Sequence, residues 1–316
     1  MQEELKAVEE KLVLTSEKRS IEDPQLLTEL LQHVLETPGK LTRPAITILS
    51  SKFHSHNHDL PVTMAGAVEL LHIATLIHDD TVDDSPIRRG RETVSSKWGD
   101  KIAVLLGDYV FAASATMVCE TNNVRVIKRF SETIMDLSSG ELSEMSNSFN
   151  WQLTKAEYNQ RIYYKTASLF STSSESGAIL SGAPENIIQS LKNYGCHLGM
   201  AFQIVDDILD FEGSQDQIGK PVGNDLRQGT ITLPSILLIE EYPTNNPIEK
   251  LCNNGDIETN VVEAISAIQN SDIMAKSYKI AKDHCNQAKL SLTPLPDSKY
   301  KSCLVELADY VMDRQY

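Results

Sequence analysis

The chain of 316 residues has few cysteines, few aromatic residues and few basic side chains relative to acidic ones. Its five cysteines are widely spaced, and no Cys-x-x-Cys pair occurs, which argues against a disulfide framework, a zinc knuckle or a thioredoxin-type site. With 29 Lys and Arg against 44 Asp and Glu, the net charge is −15, which argues against a general nucleic-acid-binding protein. Reduced thiols in a cytoplasmic protein are the simplest interpretation.

The sequence also lacks alternating strand patterns, an internal repeat and a long linker rich in Pro or Gly. No signal peptide is visible, and no membrane span is expected. Helical periodicity is what it has instead. Apolar residues recur every three or four positions in the segments 24–36, 62–82, 100–120, 125–146, 154–180, 186–212 and 230–242. We therefore predict an all-α fold with a single domain over residues 1–316.

Two acidic clusters lie inside strongly apolar helical segments. The first array, HDDTVDDSPIRRG, carries four aspartates followed by two arginines, and the second array, FQIVDDILD, carries Gln203 and three aspartates. Positions i and i+4 share a helix face, which brings Asp79 together with Asp83 and Asp206 with Asp210. Like charges at this spacing destabilise a helix unless a cation lies over them. Because a solvated face would not place both arrays among apolar residues, we interpret them as binding sites.

Carboxylate oxygens without His or Cys partners suit Mg²⁺ better than zinc or iron. Mg²⁺ is commonly held by one or two carboxylates together with oxygens of a phosphorylated substrate. Basic residues should then bind the remaining phosphate charge, and the candidates are Lys40, Arg43, Arg88, Arg89, Lys165 and Lys220. Each alone is typical of a surface charge, but beside two acidic arrays they indicate a site for a phosphorylated substrate.

These motifs resemble those of the all-trans polyprenyl diphosphate synthases, the head-to-tail prenyltransferases of isoprenoid biosynthesis. The resemblance extends from GKLTRP at 39–44 to LADYVMDRQY at 307–316, and DDxxD before RRG combined with FQxxDDxxD is specific. It implies the isoprenoid synthase fold, in which antiparallel helices surround a deep central cavity, usually in a homodimer. It also implies condensation of isopentenyl diphosphate with an allylic diphosphate.

The resemblance implies a role for each candidate site residue. It implies about two to three Mg²⁺ ions per active site, bound by Asp79, Asp83, Asp84, Asp206, Asp207 and Asp210. The catalytic residues it implies are Asp79, Asp80, Asp83, Lys165, Asp206 and Lys220. For isopentenyl diphosphate it implies contacts from Lys40, Arg43, His72 and Arg89. For the allylic substrate it implies contacts from Arg88, Lys165, Thr166, Gln203 and Lys220.

The chain departs from the common family pattern at two positions. Thr230 stands where many relatives have Lys, so one diphosphate contact is missing, and Glu144 stands where Gln is frequent. Neither belongs to the acidic arrays, so we expect activity to be retained. In the implied mechanism the allylic diphosphate departs first, and the double bond of isopentenyl diphosphate attacks the resulting carbocation in an apolar cavity.

The residues just before the first array predict the length of the product. Ala74 and Thr75 lie five and four positions before Asp79, which is roughly 6–8 Å along a helix. In the family, a bulky aromatic residue at this level closes the cavity, whereas small side chains leave it open. The two-residue gap between Asp80 and Asp83 is also similar to that of long-chain members. We expect a product of roughly C30–C45 from a farnesyl-type or geranylgeranyl-type primer.

Other members of the wider superfamily fit less well. A class I terpene cyclase carries a different second metal motif, a head-to-head synthase usually lacks RRG, and a non-catalytic subunit of a heteromeric synthase typically loses the acids. A geranylgeranyl diphosphate synthase and the catalytic subunit of a heteromeric synthase stay open. The partners we expect are the two diphosphate substrates, a second copy of the chain and a peripheral membrane contact for product release, but no nucleic acid.

Overall fold

The computed structural model describes residues 1–17, 24–35, 39–54, 59–212, 222–253 and 256–314. Helices dominate these ranges, so the predicted all-α fold is confirmed. The helices of the first half are α1 (Gln2–Glu17), α2 (Pro24–Leu35), α3 (Thr42–Ser51), α4 (Asp59–Val82), α5 (Val94–Trp98), α6 (Asp100–Cys119) and α7 (Val124–Ser146). Within the described ranges the strands are the two-residue β1 (Ile87–Arg88) and β2 (Arg91–Glu92), which pair antiparallel.

The second half of the chain begins with two helices joined by a π-helical turn at Tyr163–Ala167. Its helices are α8 (Lys155–Ile162), α9 (Ser168–Leu180), α10 (Glu185–Glu212), α11 (Asn224–Arg227), α12 (Leu233–Glu241), α13 (Pro247–Cys252), α14 (Ile257–Gln269), α15 (Ile273–Ser291) and α16 (Lys299–Met312). The predicted helix over 154–180 is therefore divided by the π turn. The last four helices were not among the predicted segments, although the longer three also bury residues at helical spacing, such as Ala281, Cys285 and Ala288 on α15.

The chain divides into two compact units, and the predicted single domain stays a prediction. The first unit consists of Met1–Ser131 with Thr172–Gln189. Here α4 packs along α6 and against α1 and α3, which buries apolar side chains such as Ile46, Met64 and Leu70. Burial of these side chains away from water supplies the main stabilising free energy of such a unit.

The second unit consists of Glu132–Ser171 with Ser190–Tyr316. In it α12 packs against α8, α14 and α15, and α16 packs against α15. The core of this unit includes Tyr194, Ile204 and Ile208, all on α10 and all fully buried. The Tyr194 hydroxyl donates a hydrogen bond to the carbonyl of Leu304 at 2.7 Å, which satisfies its polar end inside the core. The buried side of α10 thereby fixes where its polar residues lie.

Two helices of the first unit are long and apolar enough, by length and composition, to cross a membrane. They are α4, with a mean hydropathy of 1.7, and α6, with a mean hydropathy of 1.8. Of the apolar window in α4, 72% is buried inside the protein, as in the core helix of a globular protein, but in α6 only 39% is buried. Helix α6 therefore keeps an apolar face at the surface of the described chain, including Val104 and Leu105.

Candidate active site

The first acidic array lies at the end of α4. The helix ends at Val82, but the backbone N–H of Asp83 still donates to the carbonyl of Asp79 at 2.8 Å. This bond continues the helical turn, so Asp79 and Asp83 lie on one face, as the spacing predicted. Asp84 has a left-handed backbone, with φ of 49°, and there the chain leaves the helical path.

The RRG sequence that follows the array forms a tight β-hairpin. Its two central residues, Arg89 and Gly90, have φ angles of 51° and 76°, as a two-residue hairpin turn of the type I′ class requires. The hairpin brings Arg88 back to the array, where its Nε donates to Oδ1 of the buried Asp80 at 2.6 Å. The sequence did not predict this hairpin, because its strands are only two residues long.

A pocket of about 350 Å³ lies in the first unit beside this hairpin. Its walls are mainly apolar, and its polar lining includes Glu69, His72, Asp80, Arg88 and Arg89. The structure thus brings four predicted site residues and the unpredicted Glu69 to one pocket. Lys40 is exposed, and its neighbours Gly39 and Leu41 line the pocket instead. Neither of the predicted chain-length residues lines this pocket, since Ala74 is 1% exposed and Thr75 Oγ1 donates to the carbonyl of His72 at 2.8 Å.

Glu69 and His72 share this pocket with arginines. A Cβ built on Gly39 would lie 3.1 Å from Nη1 of Arg89 and 3.4 Å from Oε1 of Glu69, so a side chain here would crowd both groups. Burial raises the pKa of Glu69, against the lowering effect of Arg43 and Arg89. Burial also lowers the pKa of His72 well below its ordinary value, and the charges of Arg43 and Arg89 lower it further. His72 is therefore neutral at physiological pH and can donate one hydrogen bond.

The second acidic array lies on α10 in the second unit, and its three aspartates have different surroundings. Oδ1 of Asp206 accepts a hydrogen bond from Nη2 of Arg314 at 2.6 Å. The two carboxylate oxygens of Asp210 accept from the backbone N–H groups of Asn224 and Asp225, at 3.1 and 3.2 Å. Asp210 thus holds the beginning of α11, where free N–H groups favour a negative charge.

Asp207 is buried at the end of a chain of hydrogen bonds. Thr166 Oγ1 donates to Oε1 of Gln203 at 2.6 Å, and Gln203 Nε2 donates to Oδ1 of Asp207 at 2.8 Å. The other oxygen of Asp207 accepts from the hydroxyl of the fully buried Tyr158 at 2.6 Å. Burial raises the pKa of Asp207 to about 7, against the effect of these two hydrogen bonds. Both Asp207 oxygens are therefore used inside the protein, and its metal role stays a prediction.

Lys165 lies on the π-helical turn, a local feature that is frequent at functional sites. Its Nζ is 2.5 Å from Oε1 of Glu144 and 3.0 Å from Oε1 of Glu141. Burial works to lower the pKa of Lys165, but Glu144 and Glu141 outweigh that effect and raise the pKa. Gly140 permits this approach, because a Cβ there would lie 2.7 Å from the backbone nitrogen of Lys165. The departure from the family pattern at Glu144 thus gives Lys165 a charged partner.

These groups meet in a pocket of about 330 Å³ in the second unit. Its charged lining residues are Glu144, Arg161, Lys165, Asp206, Asp207, Asp210, Asp225 and Arg314. Gln203 and Thr230 also line this pocket. Lys220, predicted to bind the allylic substrate, lies outside the described residues.

The carboxylates of both arrays fit Mg²⁺ by their chemistry, since every predicted ligand is a hard oxygen donor. Among the described residues, no three His, Cys, Asp or Glu side chains form a group that would hold a metal by protein ligands alone.

Several residues in or behind the pockets were not predicted from the sequence, among them Glu69, Arg161, Arg314 and Tyr158. The only indication of Glu69 in the sequence is its position one helical turn before His72. The only indication of Tyr158 is its position two turns before Lys165. Arg161 is buried, and its Nη2 donates to the carbonyl of Ile231 at 2.7 Å. Arg314 is 108 positions from Asp206 along the chain, so no local pattern relates them.

Known proteins resemble the chain over nearly its full length. The family model described as polyprenyl synthetase matches residues 24–269. Heptaprenyl diphosphate synthase component 2 of Geobacillus stearothermophilus is 35% identical over 317 aligned residues, covering 100% of this chain and 97% of the relative. The crystal structure of heptaprenyl diphosphate synthase from Staphylococcus aureus superimposes with a TM-score of 0.93 at 36% identity, covering 99% of this chain and 98% of the other. A polyprenyl synthase from Caulobacter crescentus, complexed with calcium and isoprenyl diphosphate, has a TM-score of 0.91 at 31% identity and covers 100% and 96%.

Proposed function

The chain belongs to the polyprenyl synthetase family, and from that membership we propose that it is a Mg²⁺-dependent, head-to-tail synthase of long-chain all-trans polyprenyl diphosphates. Its fold is the isoprenoid synthase fold, and it is an enzyme that transfers prenyl groups. The observation that carries the proposal is that each acidic array has cations in its own pocket. Asp80 lies with Arg88 in the first pocket, and the second array lies with Lys165 and Arg314 in the second. Such a site suits a diphosphate and its metal ions.

We propose the following roles at the first pocket. Arg89 and Arg43 bind the diphosphate of isopentenyl diphosphate, with Lys40 at the pocket edge. His72 is neutral, so it donates a hydrogen bond without adding charge. Arg88 binds the allylic diphosphate while Asp80 orients its guanidinium, since charge-assisted pairs fix geometry as well as energy. The apolar wall, which includes Ile73 and Leu76, excludes water from the reacting carbons.

At the second pocket we propose that Lys165 and Thr166 contact the allylic diphosphate, with Lys220 as a further cation. Gln203 is oriented for this by its bonds to Thr166 and Asp207. Bound Mg²⁺ would be held by Asp79 and Asp83 of the first array and by Asp206 and its neighbours in the second. It would supply Lewis-acid stabilisation of the leaving diphosphate. The proton released after carbon–carbon bond formation passes to the diphosphate, so no protein base is required.

Two further parts of the proposal concern assembly and location. We propose that two copies of the chain associate through the apolar face of α6, where Val104 and Leu105 are exposed. The name of the G. stearothermophilus relative, component 2, supports a second candidate: the catalytic subunit of a heteromeric synthase. We propose a cytoplasmic location, in keeping with five cysteines that are all free in the described chain, and a peripheral membrane contact when the long product leaves.

The proposal is tested by removing one aspartate from each array. We expect Asp79→Ala and Asp206→Ala each to lower turnover by at least about a hundredfold, because each loses charge stabilisation of the leaving group. Helix content, measured by circular dichroism, should stay near that of the wild type, since removing mutually repelling acids does not weaken a helix. Asp297→Ala is the matched control, because Asp297 is fully exposed. Near-normal Mg²⁺-dependent turnover in either array variant would contradict the proposal.

A further inference from the structure

Arg314, two residues beyond the end of α16, places its guanidinium in the second pocket. Its Nη2 donates to Oδ1 of Asp206 at 2.6 Å, and its Cζ lies 3.9 Å from the ring centroid of Phe202. Phe202 and Asp206 are four positions apart on α10, so one turn of that helix presents both to the guanidinium. The Arg314 side chain is only 13% exposed, which is unusual for a residue so close to the end of a helix.

The guanidinium retains hydrogen-bonding capacity in this position. Nη1 of Arg314 is buried and has no hydrogen-bond partner among the described residues. Buried donors are nearly always paired in folded proteins, so such a group indicates a missing acceptor. The Asp206 carboxylate is 35% exposed and remains accessible to solvent ions.

The other cations of this pocket are held differently. Lys165 is paired with Glu144 and Glu141, and Arg161 donates to the carbonyl of Ile231 and lies, by its Nε, 3.7 Å from Oε2 of Glu144. Arg314 is paired with Asp206, the first aspartate of the second array. A guanidinium and a divalent cation that approach the same carboxylate repel each other, and the repulsion is substantial where little water screens it.

We propose that Arg314 is a further diphosphate-binding residue of this pocket, which neutralises Asp206 while no metal is bound and transfers to the diphosphate when Mg²⁺ takes Asp206. The planar fork of a guanidinium matches diphosphate oxygens in a two-point contact, and Nη1 supplies the second donor. Without substrate, Arg314 competes with the metal for Asp206. With a diphosphate present, the competition ends because the guanidinium gains a new anionic partner. This inference rests on the proposed function, which supplies the metal and the diphosphate.

The test measures binding rather than turnover, using Mn²⁺ as the metal probe and inorganic diphosphate as the anion. Free Mn²⁺ is counted by electron paramagnetic resonance during titration of wild type, Arg314→Gln, Arg314→Lys and Lys276→Gln. Lys276 is the matched control, because it pairs with Glu241 and does not line the pocket. Asp206→Asn identifies the metal site that depends on Asp206, and thermal unfolding confirms that each variant is folded.

We expect Arg314→Gln to bind Mn²⁺ about five- to tenfold more tightly than wild type when diphosphate is absent. With Mn²⁺ saturating, it should bind diphosphate about tenfold more weakly. The Mn²⁺ and diphosphate affinities of Arg314→Lys should lie between those of wild type and Arg314→Gln, since an ammonium keeps the charge but not the planar fork. Lys276→Gln should match wild type in both titrations.

Unchanged metal and diphosphate affinities in Arg314→Gln would overturn the inference and leave Arg314 as a structural contact of Phe202. Weaker Mn²⁺ binding without diphosphate would also overturn it, because Arg314 would then support the metal rather than compete with it. If wild type binds no Mn²⁺, with or without diphosphate, the proposed function itself fails, and this inference fails with it. The two failures are therefore distinguished by the wild-type titration.

Discussion

Several charged residues of the two pockets are held by partners in their own unit before any substrate binds. Arg88 is fixed by Asp80, Lys165 by Glu144, and Asp206 by Arg314. A side chain that is already oriented loses less conformational entropy when it binds a ligand. Such pairing has a cost where the cation must exchange its carboxylate for a diphosphate oxygen, as proposed for Arg314. The cation moves to the diphosphate only where the diphosphate carries more negative charge than the carboxylate.

Glu69 is the residue whose role at the first pocket is least evident from the sequence. It is 5% exposed and lies close enough to Arg43 and Arg89 for both to influence its pKa. We predict that Glu69→Gln raises the KM for isopentenyl diphosphate about tenfold, since the arginines lose the charged group that orients them. The KM for the allylic substrate should change less than about twofold. Steady-state kinetics with each substrate varied in turn measure both values.

Glu9→Gln is the control for this substitution, because Glu9 lines the same pocket but is exposed. Equal KM values for wild type and Glu69→Gln would contradict the positioning role.

The pH dependence of stability gives an independent test of the environment of Glu69. Burial raises the pKa of Glu69 in the folded protein above its ordinary value of 4.5, so the folded protein binds this proton more tightly than the unfolded chain does. The stabilisation from the bound proton is complete below pH 4.5 and is lost as the pH rises through the pKa of the folded state. The unfolding free energy of wild type should therefore fall relative to Glu69→Gln between acidic and neutral pH.

At the scale of helices and strands, the two arrays were predictable because their chemistry follows helical spacing. The continuation of α4 through Asp83 and the aspartates of α10 agree with the i, i+4 pattern. The π-helical turn under Lys165 and the β1–β2 hairpin were not predictable. Neither has a periodicity of its own, and the hairpin depends on the left-handed backbone of Arg89 and Gly90. The local sequence thus predicted which helices carry the arrays, but not how the hairpin brings Arg88 into contact with Asp80 of the first array.

Helix α4 also carries Ala74, at the level where a bulky side chain is expected to limit product length. Ala74 is buried at 1% exposure, so a larger side chain there must displace its neighbours. We predict that Ala74→Tyr shifts the products to roughly C15–C20, because an aromatic ring about five residues, roughly 7.5 Å, before Asp79 blocks the growing chain. The first condensations should continue, since the array is unchanged. Chromatographic sizing of labelled products measures the distribution.

Overpacking at a buried position typically costs about 1–3 kcal/mol, so the variant will also be less stable. Lower stability reduces the yield of product but does not by itself change the ratio of lengths. Ala74→Val, which adds less bulk, should keep the long products and serves as the control. An unchanged length distribution in Ala74→Tyr would show that Ala74 does not face the growing chain.

In the whole molecule, the exposed apolar face of α6 is the surface that we propose as the subunit interface. Leu105 is 68% exposed in the described chain. We predict that Leu105→Glu weakens self-association at least about tenfold, because a buried unpaired carboxylate is costly in an interface. Sedimentation equilibrium measures the dissociation constant. Leu290→Glu is the control, since Leu290 is similarly exposed on α15. A wild type that sediments as a monomer at all concentrations would contradict the homodimer and favour a different partner subunit.

Across the whole chain, features encoded by neighbouring residues could be predicted from the sequence, and contacts between distant residues could not. Fold class, both arrays and the family follow from local patterns. The contacts that complete each pocket join residues distant in sequence, such as Arg314 with Asp206 or Tyr158 with Asp207. Such contacts depend on tertiary packing, and a single sequence carries no periodic signal for them.

The size of the product made by the purified chain alone tests most directly whether the chain is a long-chain synthase. The chain is incubated with Mg²⁺, labelled isopentenyl diphosphate and farnesyl diphosphate, and the products are separated by length. We predict all-trans products longer than C20, roughly C30–C45, and none when Mg²⁺ is chelated. Products that stop at C20, or no product from the chain alone, would contradict the proposal of a self-sufficient long-chain synthase.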